Sequence, residues 1–428
     1  MKAVFHRPLG RGTRSGITSI GHMADHLHLA VLLISFPGYP LVVAAASLIG
    51  LESSVISLVM RSVNVVLATA LIVLCYNSRR NRSANTIICL FLIFWSAYIF
   101  RIFFDTLLFP APLGKELSFY WIWAIGGCFL PMLGLALKPC GAKQADQYFR
   151  WFYLATLLTG ILAIFSASGA MENDTYGLYE TGRMRISDDR LNPISLGHFG
   201  AMLMVQSIWA IVFFRVWSGV YWKCILFFGF ISGLYLLASA NSRGPVVASL
   251  ACIVVVVIFS PPRYKSLILL FSVFFGISIM YISIYLEDAH NISAFSRVFG
   301  GSPSQQAEQS LRPYLYSRAL DVFAQNPWLG GALEDSVTLS YPHNVILESL
   351  MAVGLFFGGI IIFCFSSLLY YSFFFINYFI RSGWFCLIFI QYFIGSQFSG
   401  SIYGSTYLWC SVGLLISLSQ GFIFIKGK

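Results

Sequence analysis

The stretch VILESLMAVGLFFGGIIIFCF, residues 345–365, holds a single charged side chain, Glu348. A membrane-spanning helix needs roughly 20 predominantly apolar residues, so this run reads as a span. The residues before it, SYPHN at 340–344, are polar and turn-like. His343 therefore stands at the mouth of a membrane helix, with Asn344 placed to cap that helix and Glu348 inside its first turns.

The rest of the chain agrees with a membrane setting. Of its 428 residues, 58% are hydrophobic and 10% charged, with a mean hydropathy of +0.77. A soluble domain carries about a quarter charged residues, so the fold class predicted is all-α: a polytopic membrane protein forming a single domain. Apolar runs near 27–49, 54–76, 85–109, 118–138, 149–169, 193–214, 222–239, 244–260, 266–286, 344–370, 384–400 and 402–425 support about 12 spans of the length a bilayer requires. Two connections are long, 171–192 and 287–343. Within the second, RPYLYSRALDVFAQNPWLGG (312–331) predicts a short amphipathic helix ending before Asn326-Pro327, with Tyr316, Leu320 and Phe323 at helical spacing.

The net charge of +10 does not imply a nucleic-acid partner, because its distribution follows topology. With a cytoplasmic N-terminus, the inner segments hold 17 basic residues against two acidic ones, Asp25 and Asp146, and the outer segments hold eight basic against 14 acidic. This is the positive-inside pattern, and it predicts both termini in the cytoplasm. The basic segment to Arg14 reads as a cytoplasmic tail, not a cleaved signal. The nine cysteines fall in spans or inner segments without metal-ligand spacing, so no disulfide framework or zinc site is expected. No P-loop or dinucleotide motif is present. No outer DxD pair is present either, since Asp188-Asp189 and Glu334-Asp335 are adjacent residues whose side chains would diverge. No cofactor and no metal are expected.

Seven of the eight outer basic residues are arginines: Arg183, Arg185, Arg190, Arg243, Arg297, Arg312 and Arg318; Lys115 is the eighth. A guanidinium fork suits bidentate phosphate contacts, so a phosphate-bearing ligand is expected alongside ordinary salt bridges to the outer acids. Arg61 and Arg101 lie within spans, each about two turns from the outer end. Intramembrane charges are costly and mark functional candidates: both residues either receive an anionic headgroup or, in the plainer reading, snorkel outward, with Arg101 paired to Asp105 one turn along its helix. In ASANSRGPVV the Gly244-Pro245 pair opens a helix and sets Arg243 at its mouth. His343, whose ordinary pKa is about 6.5, is a candidate general base or a capping histidine.

SRGP at 242–245, LRPYLYSRALDVFAQNPWLGG at 311–331 and YPHNVILESLMAVGLFFGG at 341–359 resemble, in order and spacing, the O-antigen ligase and O-antigen polymerase superfamily, over about residues 190 to 360. Ala332 stands where many members have glycine. The resemblance implies a bacterial inner-membrane glycosyltransferase acting at the periplasmic face on glycans carried by undecaprenyl pyrophosphate. Residue by residue, it implies roles for Arg243, Arg312 and His343, and for Arg183 or Arg185 before NPISLG (192–197). Glu348 would orient His343 or serve as base itself. Arg318, Arg61 and Arg101 join the loop arginines as substrate-binding candidates. The outer aromatics Tyr176, Tyr179, Tyr314, Tyr316 and Trp328 suit sugar stacking. The implied partners are the lipid-linked donor, a lipid-linked repeat unit or lipid A-core as acceptor, membrane lipids and other polysaccharide assembly proteins. Polymerase is favoured, for O-antigen (lipopolysaccharide) or exopolysaccharide. Ligase is the alternative, and a lipid-linked oligosaccharide transporter or flippase the rival of another class, since Pro37, Gly38 and Pro40 interrupt the first span as broken transporter helices do.

Overall fold

A computed structural model describes residues 15–49, 53–76, 82–172, 193–214, 219–240, 242–290 and 311–421. Helix α1 (Ser15–Leu33) continues through a π-helical turn, Ile34–Gly38, into α2 (Tyr39–Leu48). Then come α3 (Ser53–Cys75), α4 (Arg82–Phe103) with a π turn at Phe104–Leu108, and α5 (Leu117–Trp121), which passes through a π stretch (Ile122–Phe129) into α6 (Leu130–Leu137). Next are α7 (Ala142–Glu172), α8 (Pro193–Phe213), α9 (Val220–Ser239), α10 (Arg243–Phe259) and α11 (Pro262–His290). The last four are α12 (Arg312–Gln325), α13 (Val345–Tyr378), α14 (Gly383–Ser396) and α15 (Thr406–Gly421). No strand occurs among the described residues. Helices are the expected answer, because a lipid-facing backbone must satisfy its polar groups within its own segment.

Each predicted apolar run falls on a helix, and among the described residues eight helical segments are long and apolar enough to cross a membrane. That is fewer than the predicted count. Helix α10, at 17 residues, is a shorter apolar helix. Helices α14 and α15, at 14 and 16 residues, are buried along almost their whole length. A helix walled in by protein can end before it reaches a lipid surface, and hydropathy merges the short loop between these two into their apolar runs. Pro37 does not break the first span. The helix absorbs the missing N–H with one π turn.

Helix α8 is the centre of the bundle, with nearly all of its span buried. It lies along α9 at very close range: a Cβ added to Gly200 or Gly233 would sit 2.6 Å from the other residue's carbonyl oxygen. Small residues permit such approach where no aqueous hydrophobic force drives helices together. Val66, Val73, Leu270 and Ile277 on α3 and α11 are exposed, as lipid-facing side chains would be. At the end that the charge pattern assigns to the cytoplasm, Asp25 pairs with Lys138 at 2.6 Å and Asp146 with Arg381 at 3.5 Å.

At the other end, α12 forms where the sequence predicts it. Its inward-facing residues are Leu315 and Ala319, whereas Leu320 is exposed, so the buried stripe is rotated from the predicted Tyr316–Leu320–Phe323 face. The turn after α12 docks on a break in α13. Gly354 has φ +71° and Gly330 φ +76°, and each backbone fills the space where the other's Cβ would be. The two segments are stitched by Gly331 N–H to Met351 O (2.8 Å) and Leu355 N–H to Pro327 O (2.7 Å). Only glycine adopts this conformation at little cost while letting another backbone approach so closely.

Candidate functional site

Three of the predicted site residues stand at the beginnings of three helices. Arg243 is the first residue of α10, and Arg312 the first of α12, with Pro313 in its opening turn. His343 immediately precedes the cap of α13. Asn344 is that cap: its side-chain oxygen accepts the Leu347 N–H at 2.9 Å. Arg312 lies close enough to both Arg243 and His343 for its charge to act on each. Residues 243, 312 and 343, far apart in sequence, thus face one mouth. Free backbone amides at helix starts add to the pull on an anion.

His343 is held unusually. Its φ is +57°, a left-handed conformation that non-glycine residues adopt rarely, histidine more often than most. Its ring lies 4.4 Å from that of Tyr341, centroid to centroid, and its Nδ1 is buried without a hydrogen-bond partner. Burial, and secondarily the Arg312 charge, push the imidazole pKa down to about 4. At neutral pH the ring is therefore uncharged and free to take a proton.

The other predicted residues separate from this mouth. Glu348 is completely buried. Its Oε1 accepts the Tyr98 hydroxyl at 2.8 Å and its Oε2 the Ile402 N–H at 2.9 Å. Both oxygens are thereby directed at helix α4 and the 397–405 loop, not at His343. Arg101 does pair with Asp105, at 3.3 Å. Its remaining donors go to carbonyls: Ala352 O at 2.8 Å, Gly330 O at 2.9 Å, and Gly331 O and Leu329 O at 3.3 Å. Asp105 in turn accepts the Leu333 N–H at 2.7 Å. Arg101 is the clasp that closes the Gly330–Gly354 junction. Arg318 pairs through two nitrogens with Asp335, the shorter contact being 2.8 Å. Asp335 also accepts the Thr338 N–H at 2.9 Å, so Arg318 secures the 335–340 turn. Arg61 stacks its guanidinium 3.4 Å from the Trp123 ring centroid and lines a separate cavity. Arg183 and Arg185 lie outside the described residues, as do Tyr176 and Tyr179. Of the remaining predicted stacking residues, Trp328 and Tyr314 are exposed, and Tyr316 donates its hydroxyl to Gln397 O at 3.3 Å.

The sequence reading missed the loop SQFSGSIYGST (396–406). Asn344 donates to Gln397 O at 3.2 Å, Glu348 holds Ile402, and the buried carboxylate of Glu334 accepts the Tyr403 hydroxyl at 3.0 Å. This loop packs against the start of α13. Its signal was present as a run of serine and glycine between two apolar runs, which the hydropathy count assigned, apart from residue 401, to the two flanking spans.

Residues 227–364 match a family model described as O-Antigen ligase. No curated protein and no solved structure matches the chain. The matched segment runs from α9 into α13 and carries Arg243, Arg312, His343 and the Gly330–Gly354 junction, so the part of the chain that builds this mouth is similar to the O-antigen ligase family.

Proposed function

We propose that the protein is a glycosyltransferase of surface-polysaccharide assembly that polymerises undecaprenyl-pyrophosphate-linked repeat units at the outer face of a bacterial inner membrane. The observation that carries this reading is the convergence of two arginines and an uncharged histidine at three helix starts. Arg243 and Arg312 hold the donor's pyrophosphate. The acceptor sugar hydroxyl attacks the anomeric carbon, and His343 takes its proton. The bond from that carbon to the phosphate oxygen breaks, and the pyrophosphate leaves with the electron pair. The guanidinium groups stabilise the charge that develops there. One displacement inverts the anomeric carbon. The lipid pyrophosphate is already activated, so the step draws on no nucleotide, and the arginines take the part a metal plays elsewhere. Glu348 acts by position, anchoring the 397–405 loop against the start of α13.

The alternative acceptor is lipid A-core, the ligase reaction. Purified protein in detergent, given a lipid-linked repeat unit with and without added lipid A-core, separates the two by product. Longer lipid-linked chains in the absence of core support polymerisation; product formed only with core overturns it in favour of ligation. His343→Ala and Arg312→Ala should each reduce transfer by about 10²-fold or more at unchanged membrane levels. Full turnover in both variants refutes the assignment. Because detergent removes any second compartment, turnover there also excludes a transporter.

A further inference from the structure

Beside the mouth lies a cavity of about 400 Å³, within the range of about 300–1,000 Å³ typical of small-molecule sites. Its walls come from the π turn after α1, from α3, from the π stretch after α5, from the start of α8 and from the 396–406 loop. Two cations border it, Arg61 and Lys115, and neither forms an ion pair with an acid among the described residues. Glu116 lies in a shallower groove that Arg61 and Lys115 share outside the cavity. Where an arginine of this chain holds structure, as Arg101 and Arg318 do, its donors are spent on carboxylate and carbonyl oxygens. Arg61 instead lies flat on Trp123 and meets one side-chain oxygen, the Tyr39 hydroxyl, which leaves its other donors for a ligand.

The remaining lining suits a saccharide. Serine and threonine hydroxyls of the 396–406 loop face the space together with Trp123, Tyr392 and Tyr403, a mixture of hydrogen-bonding groups and flat apolar rings. His198, about 6% exposed, also lines it, and its Nδ1 is buried without a partner. A buried polar atom left unpaired is costly, and a ligand hydroxyl would relieve it. The cavity adjoins the mouth: Tyr341 lines it, and the Tyr341 ring lies 4.4 Å from that of His343.

We propose that this cavity receives the acceptor end of the reaction, as a sugar carrying an anionic substituent, with Arg61 and Lys115 reading the charge and Trp123 lying against the ring. The proposal rests on the transferase reading for the word acceptor, but binding itself is measured without turnover. Full-length protein in detergent is titrated with methyl glucuronide, glucose 6-phosphate, methyl glucoside and inorganic phosphate, by saturation-transfer NMR. Either or both charged sugars should bind at least about tenfold more tightly than the neutral glucoside; the stronger of the two identifies carboxylate or phosphate as the substituent. Arg61→Gln should abolish that preference, and Arg61→Lys should keep part of it, which guards against loss of fold as the cause. Trp123→Leu should weaken all three sugars. His343→Ala should bind as the wild type does, so a failed transfer mechanism remains distinguishable from a failed subsite. Equal affinity for charged and neutral sugars, an Arg61→Gln variant that binds normally, or inorganic phosphate matching the charged sugars would each overturn the proposal.

Discussion

Two arginine-bearing regions at the same end of the bundle differ in how their donors are used. In the clasp, Arg101 meets one carboxylate and four backbone carbonyls, and the glycine junction beneath it is closed by reciprocal backbone bonds. In the mouth, Arg243 and Arg312 bring like charges together, and His343 lies in a rare backbone conformation with an unpaired ring nitrogen. Polar groups inside a protein normally find partners. Among the described residues the clasp obeys this and the His343 ring nitrogen does not, which is why we read the clasp as architecture and propose the mouth as the substrate site. Identical side chains are told apart by their satisfaction, not by their depth in the membrane.

The contrast breaks most readily at the clasp. Arg101→Leu strands the buried Asp105 and frees four carbonyls, and should cost about 3 kcal/mol. The expected result is a large fall in the thermal midpoint of the purified protein and in membrane abundance. Near-normal stability would mean that Arg101 is free to bind substrate after all. Gly354→Ala places a Cβ in the backbone of the 328–330 turn at positive φ, for about 2 kcal/mol of destabilisation, read in the same thermal experiment. Asn344→Ala removes the α13 cap and its bond to Gln397, for about 1 kcal/mol, with a larger effect on turnover than on the midpoint if cap and loop position His343.

The smallest effect is one of pH. A base must be unprotonated, and the His343 pKa is depressed to about 4 from the ordinary 6.5. Turnover should therefore hold from pH 7 down to about 5, and fall to half near pH 4 as the ring takes its proton. An acid limb centred near 6.5 would show that the ring is solvated and not shielded by its surroundings.

Much of the architecture was legible from period and charge. Long apolar runs leave the backbone no alternative to helices, and the asymmetry of basic residues assigned Asp25 and Asp146 to a side where each meets a cation. Arg243 and His343 were singled out because each stands at a helix start that glycine, proline or asparagine announces locally, and Arg312 through the family resemblance. Those features depend on neighbours in sequence, and sequence by itself determined them. Which arginine works and which only holds was not legible. Arg61 and Arg101 both sit in apolar spans at a similar predicted depth, and the Arg101–Asp105 pair is the one part of their difference visible as an i,i+4 spacing. The partners that decide it are carbonyls at 329–331 and 352, some 230 to 250 residues away, and an aromatic ring at Trp123. The same holds for Glu348, four residues past the Asn344 cap yet directed at Tyr98 and Ile402. Backbone donors and acceptors carry no residue identity, so contacts to them leave no trace in the order of side chains; only the folded chain, by bringing distant segments within about 3 Å, decides what each charge is for.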